Sequence, residues 1–132
     1  MANIKLVHTE TFVANEDLSD YQYHGMDMVS SRYVERHDAI TDIPAGVLQN
    51  DPESGQEAEV LVIGRTPVVL GENVTSLPQL LRFDGDGHAV PFDMATDVTT
   101  YCAGQFLQTG STGEKVEALI NCANPFRGGV SA

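Results

Sequence analysis

The stretch Ala45–Gly64, AGVLQNDPESGQEAEVLVIG, recurs later as Ala103–Ile120, AGQFLQTGSTGEKVEALI, and this repeat constrains the fold more than any other feature. With Gly46 aligned on Gly104 the offset is 104 − 46 = 58, which carries Gly55 onto Gly113, Glu59 onto Glu117 and Leu61 onto Leu119 without a gap. Each copy reads as a strand, a polar Gly-bearing loop, then a strand of alternating apolar and polar residues, the pattern of a β-hairpin. A hairpin has to bury one face. Two hairpins joined by Thr66–Thr100, rich in Val, Leu and Phe and broken by Gly, Pro and Asp, imply an all-β fold. The expected form is a small β-barrel or sandwich whose two related hairpins cover one another, with at most one short helix.

A chain of 132 residues suits one compact unit without a separate catalytic lobe. Its expected parts are an extended N-terminal arm or first strand over 1–14, a single β-rich domain over 15–122 and a C-terminal tail over 123–132. Lys and Arg total 7 against 19 Asp and Glu, a net charge of −12, so a nucleic-acid backbone would be repelled. Nucleic acid is therefore not an expected partner. The start, MANIKLVHTE, has no basic segment leading into an apolar run, and nowhere does a run approach the roughly 20 apolar residues of a membrane span. A soluble protein, intracellular when made and without a membrane partner, is expected.

In chain order, Ile4–Ala14 is β-prone and precedes the first repeated unit with no hairpin partner close by, so it is either a free arm or an ordinary first strand. Either way it is extended. Asn15–Asp20 is a polar break, and Tyr21 and Tyr23 in the following segment alternate as if sharing one sheet face. Ser30–Asp42 mixes charges without helical periodicity and reads as a strand end and loop with no assigned chemistry. In the first unit, Ala58, Val60 and Val62 fall on one face of the second strand and Glu57, Glu59, Leu61 and Ile63 on the other. The acidic residues Asp51, Glu53, Glu57 and Glu59 read as a solvated hairpin tip. Gly64-Arg65-Thr66-Pro67 suggests a turn into a short buried strand, Val68–Leu70. Ser76 as a cap and Pro78 near the first helical position suggest one helical turn before Phe83.

Signatures of catalysis are missing: no GxSxG, HExxH, GxxxxGK[ST] or strand-bound GxGxxG occurs. His8, His24, His37 and His88 are dispersed among residues typical of surface strands and turns. Asp84-Gly85-Asp86-Gly87-His88 resembles the opening of a calcium loop, but Ala89 and Ala95 stand where Gly and Glu belong, so a Gly-rich hairpin turn without metal is expected. No cofactor and no metal is assigned. Cys102 and Cys122 lack metal-ligand spacing. If the second hairpin turns about Thr112, opposed residues sum to 224, which sets Phe106 against Ala118, Gly104 against Ile120 and Cys102 against Cys122 on an apolar face. Two adjacent, buried, reduced thiols are expected in a reducing cytosol.

These signals together resemble the capsid decoration, or cement, proteins of tailed bacteriophages, distantly like the lambda head decoration protein. The resemblance rests on Asp17-Leu18-Ser19-Asp20-Tyr21-Gln22-Tyr23, Pro44–Asn50 with Pro52 and Gly55, the Val60–Gly64 strand, Leu80–Val90, and Ala103-Gly104 with Gly113-Glu114-Lys115-Val116. It spans most of the chain, and Ala123–Ala132 departs from it by running past the usual closing strand. It implies a β-tulip-like domain without catalysis that binds the outside of an assembled capsid of major capsid protein. Homotrimers at three-fold positions and a place on the virion exterior, after synthesis in the host cytoplasm, are part of the same expectation. A free N-terminal strand would then seek an edge of the shell or of a neighbouring subunit, making Ile4, Lys5, Leu6, Val7, Thr9, Thr11 and Phe12 the candidate binding residues. A small β-barrel that binds a ligand or another protein is the alternative, and an enzyme using a pair of acids the third reading.

Overall fold

A computed structural model of the chain describes residues 7–127. The strands are β1 (His8–Ala14), β2 (Gly25–Ser30), β3 (Tyr33–Arg36), β4 (Gly46–Leu48), β5 (Glu57–Val69) and β6 (Leu80–Phe83). They continue with β7 (Ala89–Phe92), β8 (Tyr101–Cys102), β9 (Gly104–Phe106), β10 (Lys115–Asn121) and β11 (Phe126–Arg127). No helix occurs among the described residues. The fold is all-β, as the hairpin pattern requires.

The register derived for the second hairpin is the one found over its central pairs: Ala118 faces Phe106, Leu119 faces Gln105 and Ile120 faces Gly104. It does not extend to the cysteines, because Cys102 faces Phe126 on β11 and Cys122 N donates to Val62 O. In the first hairpin Val47 faces Leu61 and Leu48 faces Val60, the same pairing displaced by 58. Matching glycines hold matching places. A Cβ on Gly46 would stand 2.3 Å from the Leu61 carbonyl oxygen, and one on Gly104 would stand 1.9 Å from that of Leu119.

The duplication reaches beyond the hairpins. β2 pairs with β4 as Gly25 with Val47, and β6 with β9 as Leu80 with Gln105, an offset of 80 − 25 = 55 on the earlier strand. β3 and β7 obey the same offset, and so does the turn before each, where Arg32 (φ 68°) corresponds to Gly87 (φ 78°). The backbone bonds repeat as well. Ala14 N donates to Gln56 O as Leu70 N does to Glu114 O, and Leu18 N donates to Pro52 O as Val74 N does to Gly110 O.

The first copy closes as a five-stranded barrel, β1-β3-β2-β4-β5, with β5 pairing back onto β1. The second runs β5-β10-β9-β6-β7, and a parallel bridge from Leu70 to Ala89 mirrors the parallel pairing of Ala14 with Val34. β5 therefore serves both copies: its first half closes one barrel and its second half opens the other. Two cores result. One gathers Ala14, Leu18, Met26, Val34, Leu48 and Val60; the other has Leu70, Val74, Leu81, Ala89, Phe106 and Ala118 at the equivalent positions.

Three local expectations are corrected. Gly64–Pro67 is no turn, because β5 runs straight through it. Pro67 faces Glu117, whose carbonyl accepts from Leu107 N and whose N–H donates to Gln108, so no donor is missed where Pro has none. Leu80–Phe83 is strand rather than a helical turn, since Leu81 and Phe83 are buried and Leu80 and Arg82 less so, a period of two. Tyr21 and Tyr23 do not share a sheet face. Tyr23 has φ 67°, which breaks the alternation, and Tyr21 packs on the first core while Tyr23 packs on the second.

The N-terminal strand β1 is extended and pairs inside the domain, antiparallel with β5 from His8 to Val13 and parallel with β3 at Val13 and Ala14. At the other end Phe126 faces Cys102 in the small β8–β11 sheet and packs edge-on against Phe92 at 6.0 Å between ring centroids.

Candidate interaction surface

Equivalent hairpins of the two copies meet different fates. In the second copy Phe83, at the end of β6, is 2% exposed and packs against Gly25, where a Cβ would lie 2.5 Å from its ring. The turn that follows is bound too, since Gly25 N donates to Gly87 O at 2.8 Å. Its counterpart in the first copy is Met28 (83 − 28 = 55), which is 57% exposed. Val29 beside it is 47% exposed and Ile43 60%, with Tyr33 and Ile40 also exposed. The first copy thus leaves open the hairpin face that the second copy buries. Phe12, Met28, Ile43, Pro44, Ala45 and Cys122 line one groove on this side, and Met28 and Ile43 continue into another beside Asp27 and Asp42. A continuous apolar rim of this kind is a candidate docking surface.

Of the N-terminal candidates, Ile4, Lys5 and Leu6 lie outside the described residues. Val7 is exposed and stands over Gly64, and Thr9 is exposed on β1. Thr11 is half-buried and donates through Oγ1 to Glu59 at 2.8 Å. Phe12 packs on the first core and reaches the groove beside Met28 and Ile43. The backbone of β1 is already engaged by β5, so the side chains rather than a free strand edge are what this segment presents.

Beneath the same face lies a polar group that the sequence concealed. His37 and Asp27 are both buried, with His37 Nδ1 2.6 Å from Asp27 Oδ1. Burial pushes the Asp27 carboxyl up to about 6; His37 opposes that rise and the neighbouring Asp42 adds to it. His24 is buried as well, not a surface residue, and its ring lies 4.9 Å from that of His88; burial is the main cause of its lowered pKa. Nothing in the spacing of these residues signals either contact: the Asp27–His37 pair arises when β2 pairs with β3, and the His24–His88 contact when Gly25 binds Gly87 in the turn between β6 and β7.

Cys102 and Cys122 are both buried and free. Burial pushes the Cys122 thiol up to about 12, with Cys102 and Asp27 adding to the effect, and burial raises Cys102 too. Thiols so placed are poor nucleophiles. On the second copy an apolar cavity of about 270 Å³ lies against Leu80, Cys102, Gln105, Leu119, Ile120 and Phe126.

No family model and no curated protein matches the chain. The crystal structure of the head fiber gp8.5 N base in bacteriophage phi29 does match, with a TM-score of 0.66 at 20% identity, covering 89% of this chain and 96% of that one. The chain shares that fold. The match takes in nearly all of both chains, so the likeness covers both barrels rather than a single hairpin.

Proposed function

We propose that the protein is a non-enzymatic structural component of a phage virion that attaches as a trimer to the outer surface of the assembled capsid and stabilises it. The observation that carries this reading is the shared fold with a phage head fiber base, which joins the resemblance to decoration proteins seen in the sequence. On this reading the open hairpin face of the first copy, with Phe12, Met28, Val29 and Ile43, docks on the major capsid protein. Val7 and Thr9 flank that contact. Three such faces in one trimer act through effective concentration, so each contact need bury little area.

The test is co-sedimentation with capsids of the encoding phage prepared without this protein. Wild type is expected to pellet with the capsids and Met28→Asp/Ile43→Asp to stay in the supernatant while melting as a folded protein. Failure of the wild type to pellet, or unaltered pelleting of the double variant, would reject the attachment or the face, respectively.

A further inference from the structure

Asp27, Asp38 and Asp42 converge at the edge of the open hairpin face, and one carboxylate oxygen from each lies within 4.8 Å of the others. Asp27 stands on β2; Asp38 and Asp42 bound the loop after β3, which is tightened by Asp42 N donating to Ala39 O at 3.0 Å. Exposed carboxylates alone would carry nothing, because water satisfies them. Asp27 is different. It is 5% exposed, its Oδ1 is taken by His37, and its Oδ2 is buried with no hydrogen-bond partner. Asp27 and Asp42 line the same groove.

A buried carboxylate oxygen without a donor is costly, and setting further carboxylates beside it raises the cost. Placing a cation among them removes both penalties. We propose that Asp27, Asp38 and Asp42 form a binding site for a hard divalent cation of the calcium class. All three offered ligands are oxygens, the preference of calcium and magnesium rather than of softer metals. Three separate carboxylates with one side open to the groove favour calcium, which accepts irregular geometry and completes its shell with water, over magnesium, which demands a near-ideal octahedron. His37 holds Asp27 through Oδ1, and Oδ2, which has no partner, is the oxygen the proposal assigns to the ion. The ion would tie the loop carrying Ile40 and Ile43 to β2.

The second acidic group, Asp84, Asp86 and His88, provides the control. There Asp84 Oδ1 already accepts from the N–H groups of Asp86 and His88 at 2.9 and 3.0 Å, so the carboxylate is spent on its own turn.

The experiment is calorimetric titration of chelator-treated, full-length protein with calcium chloride, and separately magnesium chloride, at 0.1 M sodium chloride (about a 10 Å screening length). Wild type and Asp86→Asn are expected to bind one calcium per chain with Kd of roughly 0.1–1 mM, magnesium at least tenfold weaker. Asp38→Asn and Asp42→Asn, both on the loop rather than in a core, are expected to weaken calcium at least tenfold. The same two variants should lose the calcium-induced rise in melting temperature shown by wild type. No saturable binding by wild type, binding unaffected by both loop variants, or binding lost in Asp86→Asn would overturn the site.

Discussion

At Gly46 and Gly104 a neighbouring backbone leaves no room for a Cβ, and they show how a residue can specify a fold by what it lacks. A methyl group at Gly104 would fall 1.9 Å from the Leu119 carbonyl oxygen, which belongs to the ladder and cannot yield as a side chain can. Gly113, with φ 88° and nothing within 4 Å of an added Cβ, has only a conformational reason to be glycine. Urea unfolding is therefore expected to show Gly104→Ala destabilised by about 3 kcal/mol or more, and Gly113→Ala by about 1–2 kcal/mol. Equal costs at the two sites would contradict the close-approach argument. Burial decides the titrating residues in the same way. Asp27, His24 and Cys122 are each shifted mainly by loss of water, toward the neutral form in every case.

At the scale of elements, β5 is the shared member, thirteen residues long and paired with β1 and β4 on its first half and β10 on its second. β1 matters to the fold because it closes the first barrel against that strand. Deleting Ala2–Thr11 removes most of the β1–β5 pairing and is expected to destabilise the protein by about 3 kcal/mol, a drop on the order of 10 °C in melting temperature. An unchanged melting temperature would mark the segment as a detachable arm. The hairpin register was legible in the sequence because a period of two, a turn at Thr112 and aligned glycines leave one solution. The larger duplication was not. Ala14 and Leu70, Leu18 and Val74, or Val34 and Ala89 share only apolar character, and the offset changes between strands, so no gapless alignment exposes them. Pro67 hid the length of β5, since a proline in a strand is visible as harmless only once its partner's hydrogen bonds are known. The Asp27–His37 pair and the carboxylates near it were illegible for a related reason: tertiary pairing, not spacing, brings them together.

At the scale of the whole molecule, the two barrels form a tandem in which the second copy docks its hairpin on the first, while the first copy's own hairpin has no such partner among the described residues. A net charge of −12 favours solubility, which on the proposed function keeps the protein dispersed until the capsid surface collects it. The open apolar face supplies what charge cannot, a local site of attraction. The most direct test is a cryo-electron microscopy reconstruction of capsids of the encoding phage incubated with the purified protein. The proposed function predicts three copies around three-fold positions, each with Met28 and Ile43 toward the major capsid protein and β11 away from that contact; empty three-fold positions, or a bound chain with Met28 and Ile43 facing solvent, would contradict it.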